Sequence, residues 1–134
     1  MNNTEKTITN GYYQLPNGQW LHFSMNCWFN LQKNTGKDIQ GWNTEYAKAV
    51  KEEDMLSQYN LLSELAFAAA RAHDQEEDVE IKYNFFKVRS WMDQLDHEHS
   101  VEFFKAFTWN ASIPDNEKKK METEMSPKKN KAIV

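Results

Sequence analysis

Between Ile81 and Leu95 the apolar residues Ile81, Phe85, Val88, Met92 and Leu95 follow one another at steps of 4, 3, 4 and 3. That spacing places all five on one helical stripe, with Tyr83, Phe86 and Trp91 widening or flanking it. Upstream, Tyr46, Val50, Leu56, Tyr59, Leu62, Ala66, Ala69 and His73 recur at about the same period, which predicts a first long helix over roughly 44–73. Asn43 or Thr44 would cap it, Glu45 suits the positive end of its dipole, and the alanines from Ala66 to Ala72 let another helix approach closely. Neither Gly nor Pro occurs in the 72 residues from Trp42 to Ile113, the strongest helical signal in the chain. The polar, acidic run from Asp74 to Asp78 is the best internal break. Asp96-His97-Glu98-His99-Ser100 interrupts again, and Ser100 can cap a last helix carrying Val101, Phe103, Phe104, Phe107 and Trp109, closed by Pro114.

The N-terminal part reads differently. Tyr12-Tyr13-Gln14-Leu15 and Gln19-Trp20-Leu21-His22-Phe23 flank Pro16-Asn17-Gly18, turn chemistry between two aromatic-rich segments, so a β-hairpin is expected there. A lone two-stranded hairpin is marginal in water, so this one should lie against the helices. Ser24 can cap a short helix in which Met25, Trp28 and Phe29 share a face, ending near Asn34-Thr35-Gly36. The predicted fold is mainly α: an N-terminal β-hairpin and short helix packed on a bundle of about three longer helices. Residues 1–10 are expected to be a flexible lead-in, 11–113 a single helical domain, and 114–134 a charged, disordered tail.

Composition changes the picture of the core. Leu, Ile, Val and Phe make only 26 of 134 residues, so five Trp, five Tyr and six Met must supply much of the apolar volume. Net charge is only -4 but unevenly spread, with 14 acids against 6 bases over 45–102 and 4 acids against 6 bases over 115–134. A net acidic body disfavours a large phosphate-binding surface, so duplex DNA is not expected as the main ligand. The single cysteine, Cys27, cannot form an intramolecular disulfide, and Met1–Asn10 has no apolar stretch of the kind that directs export. With no long uninterrupted apolar window either, the expectation is a cytoplasmic protein without membrane attachment.

Candidate chemistry is sparse. Glu76-Glu77-Asp78-Val79-Glu80 matches the Glu-Glu-x-x-Glu element with which all-α NTP pyrophosphatases hold Mg²⁺, and Asp93-x-x-Asp96 is the nearest second acidic pair. On one continuous helix Glu80 and Asp93 would lie about 20 Å apart, so a shared metal would need two subunits. His97 and His99, with Asp93, Asp96 and His73, could supply N and O ligands for a transition metal, although a polar helix connector explains them as well. Cys27 reads as a buried, inert thiol, and His22 as an edge-strand side chain. None of the glycines, at 11, 18, 36 and 41, has the spacing of a phosphate loop, which excludes the usual ATP and NAD motifs. No cofactor is expected. Lys118-Lys119-Lys120 and Ser126-Pro127-Lys128-Lys129 with Lys131 could contact nucleic acid weakly, but a solvated tail is the simpler account.

The aromatic surplus holds the most functional promise. Trp20, Trp28, Trp42, Trp91, Phe103, Phe107 and Trp109 exceed what one small core obviously needs, so that either some stand at a partner interface or all of them fill a core poor in Leu, Ile and Val. Residues 11–40, running from Gly11-Tyr12-Tyr13-Gln14-Leu15-Pro16-Asn17-Gly18 through Trp28-Phe29-Asn30-Leu31 to Asp38-Ile39-Gln40, resemble the opening of short uncharacterised proteins from tailed phages of marine cyanobacteria. Where those proteins tend to be acidic, this chain has Gln32-Lys33-Asn34-Thr35-Gly36-Lys37. The resemblance implies a phage origin and a hairpin followed by a capped helix, with no catalytic residue. The functional expectation is a non-enzymatic protein-interaction module, either a phage accessory or assembly factor or a regulator that docks on a host protein. A homodimer through the Ile81–Leu95 stripe or the last helix is one form of this. The alternatives are a metal-dependent helical-bundle hydrolase using Glu76, Glu77, Glu80, Asp93 and Asp96, and a nucleic-acid binder acting through the tail.

Overall fold

A computed structural model describes residues 5–110, with side chains through Thr108. After a 3-10 turn at Ile8–Asn10, strands β1 (Tyr12–Gln14) and β2 (Trp20–His22) pair antiparallel in the register Tyr12 to His22, Tyr13 to Leu21 and Gln14 to Trp20. Pro16 enters the connecting turn, and Gly18, at φ +96°, donates its N–H to the Leu15 carbonyl at 2.9 Å. That backbone conformation favours glycine. Tyr13, Leu15, Leu21 and Phe23 are buried, and so is Tyr12, whereas Trp20, expected on the apolar face with Tyr13, Leu15 and either Leu21 or Phe23, is only half-buried.

Helix α1 (Met25–Thr35) ends at Gly36, whose left-handed φ of +78° lets its N–H reach the Gln32 carbonyl. Its buried side is Cys27 and Leu31, not the expected face of Met25, Trp28 and Phe29. Ser24 does occupy the N-cap position, but its hydroxyl is drawn away to α3 and makes no cap bond. Helix α2 (Ile39–Lys51) begins earlier than Asn43 or Thr44, because Asp38 caps it by accepting the Gly41 N–H at 2.7 Å. It buries Trp42, Tyr46 and Ala49 on one stripe.

The expected long helix over 44–73 is instead two helices, α2 and α3 (Met55–Glu76). Glu53 takes the left-handed conformation at φ +57°, so its N–H reaches the Val50 carbonyl and that of Asp54 the Ala49 carbonyl. This is the hydrogen-bond pattern that usually recruits glycine. Asp54 then caps α3 through the Ser57 N–H and hydroxyl. The far end of α3 closes the same way, with Asp78 at φ +58° and the Val79 N–H on the Asp74 carbonyl.

Residues 77–84 are not helical, so the stripe from Ile81 to Leu95 is only partly a helix face. Helix α4 covers Phe85–Met92, capped by Asn84, and buries Val88 and Met92. Helix α5 (His97–Asn110) starts three residues before Ser100, with Asp96 accepting the His99 N–H at 2.8 Å. The fold is thus mainly α with an N-terminal hairpin, its helical body divided among five helices within the described residues. Helix α3 lies at the centre, touching α1, α2, α4 and β2, and its alanines 66, 68, 69, 70 and 72 are buried. Phe23, Trp28, Trp42, Tyr46, Phe103, Phe104 and Phe107 form the aromatic core, mostly edge to face. The Trp42 indole N–H donates to the Leu61 carbonyl at 2.8 Å, satisfying the polar atom of the largest buried side chain.

Candidate functional site

Two regions of the surface carry unusual chemistry. The first is a polar network between the hairpin and the C-terminal end of α3. His73 and Asp74, adjacent at that end, are both buried, which requires partners for every polar atom. Asp74 accepts from His73 Nδ1 at 2.8 Å, from the Tyr83 hydroxyl at 2.7 Å and from Gln19 Nε2 at 3.3 Å to each oxygen. On the other side of the imidazole, Lys6 Nζ lies 2.9 Å from His73 Nε2 and 5.2 Å from the centre of the Trp20 ring. The Tyr83 hydroxyl is raised in pKa by burial, and further by its bond to Asp74 and that carboxylate's charge.

Half a turn on, Glu76 gathers His22 Nδ1 at 2.6 Å, the Ser24 hydroxyl at 2.7 Å and Asn26 Nδ2 at 2.8 Å. Burial alone would raise its pKa, but the bonds from His22, Asn26 and Ser24, with the His22 charge, bring it down to about 2. His22 also stacks on Tyr12, ring centres 3.8 Å apart, and its Nε2 meets the Asn10 carbonyl at 3.2 Å. These bonds fix the hairpin, α1 and the connector after α3 to one helix end. They bind and orient; nothing in them leaves a free nucleophile.

The second region is apolar and exposed. Leu56 is 83% exposed and Phe86 67%, while Tyr59 is also exposed. Arg89 ties Phe86 to α3: its guanidinium lies 5.4 Å from the Phe86 ring centre and 5.1 Å from that of Phe85, and donates to Asn60, one turn after Leu56, at 3.2 Å. An open cleft between α2 and α3, with Lys48, Glu52 and Asn60 in its walls, adjoins Leu56. On α1, Met25 and Phe29 are 65% and 66% exposed, one turn apart.

The aromatic residues expected at an interface divide sharply. Trp42, Phe103 and Phe107 are fully or almost fully buried and belong to the core, because facing aromatic rings from α1, α2 and the hairpin enclose them. Trp20, Trp28 and Trp91 are half-buried: Trp20 under Lys6, Trp28 against Phe23 and Phe107, and Trp91 against Tyr83. The side chain of Trp109 lies outside the described residues, as do Pro114 and the basic tail.

The acidic and histidine candidates are dispersed. Glu76 is engaged by the hairpin, Glu77 is exposed, and Glu80 pairs with Lys82 at 3.8 Å. Asp93 and His97 are exposed, and Asp96 serves the first turn of α5 with His99 at 3.2 Å. Since 77–84 is not helical, the 20 Å axial separation expected between Glu80 and Asp93 does not describe the chain. Among the described residues no group of three or more His, Cys, Asp or Glu side chains could hold a metal ion. Cys27 is fully buried, and its thiol is pushed well above the usual range by burial and the Glu76 charge.

Sequence reasoning missed Lys6, Gln19, Asp74 and Tyr83, which are far apart along the chain. The one local signal was a His-Asp pair ending an alanine-rich helix, where both side chains face the packed side. Among the described residues no helix is long and apolar enough to cross a membrane. No known protein family, curated protein or solved structure matches the chain.

Proposed function

We propose that the chain is a non-enzymatic protein-interaction module that docks through the face of Leu56, Tyr59, Phe86 and Arg89. The observation that carries this reading is the exposure of Phe86 beside an Arg89 that bonds to Asn60, together with the exposure of Leu56 one turn before Asn60 on α3. A preordered arginine among exposed aromatic and aliphatic side chains combines the residue types that contribute most at protein interfaces, and little side-chain entropy remains to be lost on binding. The guanidinium is fixed by a neutral amide, which leaves its charge for a partner carboxylate. The partner surface is therefore an apolar groove with an acidic residue at its edge. The resemblance of residues 11–40 to phage proteins points to a phage origin and implies no function of its own; in that setting the module would serve as an accessory, assembly or host-directed protein.

A photo-crosslinking amino acid at position 86, introduced into the otherwise intact chain, tests the proposal. The expected result is a discrete adduct in cells that is lost in Leu56→Asp. That variant should fold normally, because residue 56 is exposed in the first turn of α3, where a carboxylate suits the dipole. An adduct with a second copy would make the module a homodimer. Absence of any adduct, or the same adduct from a crosslinker placed at Lys33 on α1, would overturn the assignment.

A further inference from the structure

The chain has 14 lysines but only two arginines, Arg71 and Arg89, and the fold joins the two through one row of aromatic rings. Leu56, Asn60, Phe67 and Arg71 fall at steps of 4, 7 and 4, so they share one face of α3, and α4 packs against that helix. Both guanidinium groups lie over phenylalanine rings. Arg71 is 5.6 Å from the centre of Phe67, and Arg89 is 5.1 Å from that of Phe85 and 5.4 Å from that of Phe86. Phe67 in turn meets Phe85 edge to face at 6.1 Å. The arginines are therefore the two ends of a continuous strip that runs Arg71, Phe67, Phe85, Arg89, with Phe86 standing out beside it at 67% exposure.

Among the described residues neither arginine has a carboxylate within ion-pair reach. Asp74, three residues after Arg71, is taken up by His73, Gln19 and Tyr83, and the acceptor that Asn60 gives Arg89 is neutral. Arg71 Nε is buried without a hydrogen-bond partner among the described residues, a cost that stacking on Phe67 leaves uncompensated. A carboxylate at the outer nitrogens would supply charge-assisted bonds there. The planar fork of arginine, set in advance on its ring, suits that role as the flexible ammonium of lysine does not.

Asn60, which anchors Arg89, and Arg71 lie about 16 Å apart along α3, or about three helical turns. A second helix laid along α3 has the same rise, so side chains three of its turns apart reach the same separation on one face. We propose that the partner presents to this strip a helix with two carboxylates three turns apart on one face, one for Arg71 and one for Arg89, and apolar side chains between them against Phe85 and Phe86. This helix is a wall of the apolar groove that takes Phe86. The inference thus rests on the docking role of the Leu56–Phe86 face and adds to it a second charge and a spacing.

Phosphates would also satisfy two arginines, but the surroundings favour a protein. Phe67 and Phe85 already carry a guanidinium on a ring face, which denies that face to a stacking base. With 14 acids against 6 bases over 45–102, the body repels a polyanion far more than it repels an apolar helix with two carboxylates.

Arginine-selective ¹⁵N labelling of the full chain gives two side-chain Nε–H signals, one for each end of the strip. The probe is a synthetic alanine-rich helical peptide of about 18 residues, with two glutamates about 11 positions apart and leucines about 4 and 7 positions after the first. Both Nε–H signals are expected to shift together along one saturation curve. Replacing both glutamates by glutamine, or spacing them so that they fall on opposite faces of the peptide, should weaken binding about tenfold or more. Arg71→Lys keeps the charge but loses the stacked fork, and should weaken binding of the first peptide about tenfold while the Arg89 signal still responds at higher concentration. Movement of the Arg89 signal alone would overturn the two-carboxylate helix and leave the docking face intact. Signals indifferent to millimolar peptide, equal binding of the glutamine peptide, or a response to oligothymidylate in place of the peptide would overturn it as well, and the crosslink at position 86 then decides the docking role by itself. Should Arg71→Lys fail to fold, the three peptides on the unaltered chain decide the matter.

Discussion

At the scale of single residues, Glu76 is the most consequential polar side chain of the described fold. Its carboxylate joins β2, the start of α1 and the end of α3 through three donors, and its pKa is held at about 2. In an unfolded chain the same group titrates near 4.3, so folding is favoured by the ionised form. The contribution is present above about pH 4.3 and is lost as pH falls from there towards the folded value. Its side chain is 22% exposed, so after allowance for solvent screening the contribution is on the order of 2 kcal/mol. Glu76→Gln should remove most of it at neutral pH and flatten the dependence of the urea midpoint on pH between about 5 and 2.5. An unchanged acid limb in that variant would refute the assignment. None of this was legible in the sequence, where Glu76 read as the first acid of a Glu-Glu-x-x-Glu metal-binding pattern or of a solvated helix boundary. Its role depends on His22, Ser24 and Asn26, which fold topology alone brings to it. By contrast, the inert character of Cys27 was legible, because an isolated cysteine beside Trp28 on a short apolar helix has a strong preference for the core.

At the scale of elements, helix content and the hairpin were readable, whereas the internal breaks were not. The hairpin declares itself through Pro16-Asn17-Gly18 between aromatic runs, while its register, Tyr13 to Leu21, comes from the structure. The chain between Trp42 and Ile113 offers no Gly or Pro, so a reading by breakers merges α2 with α3. The structure breaks it with Glu53 and Asp78 in left-handed conformations, at φ +57° and +58°, closed by backbone bonds that glycine would satisfy with less strain. Asp54 follows at once as the next cap, so the break is encoded by capping chemistry and not by a breaker. Since Glu53 is exposed and its backbone already sits in the left-handed region, Glu53→Gly should stabilise the protein by roughly 0.5–1 kcal/mol. The check is a higher urea midpoint at unchanged m-value. A destabilised variant would mean that the entropy glycine gains in the unfolded chain outweighs the strain removed.

At the scale of the whole molecule, α3 is the axle on which the other elements are mounted. Five alanines buried within seven positions, Ala66 to Ala72, cover more than one side of a helix, which fits its contacts with α1, α2, α4 and β2. Small side chains on several faces let those elements approach closely without leaving voids, and the large rings of Phe23, Trp42, Phe103 and Phe107 fill the space beyond. The sequence disclosed the alanine run and its permissive surface for one neighbour. It did not disclose several neighbours, because burial on more than one face leaves no amphipathic stripe to read. Both distinctive regions hang on this helix: the polar network of His73 and Asp74 at its C-terminal end, and the exposed Leu56 and Tyr59 at its start. A bulky residue at the centre should therefore strain the whole assembly and not one contact. Ala69→Leu adds three carbons where no space is open and is expected to cost about 1–3 kcal/mol or more, read from urea unfolding. The same logic orders hydrogen exchange in the unaltered protein: central α3 amides open only with global unfolding, whereas amides in the exposed turn around Glu53 exchange by local opening. Exchange in Ala69→Leu should accelerate in α1, α2, α3 and α4 together. Acceleration confined to a single neighbour would show that α3 serves one partner element and that the remaining contacts contribute little to the cooperative unit.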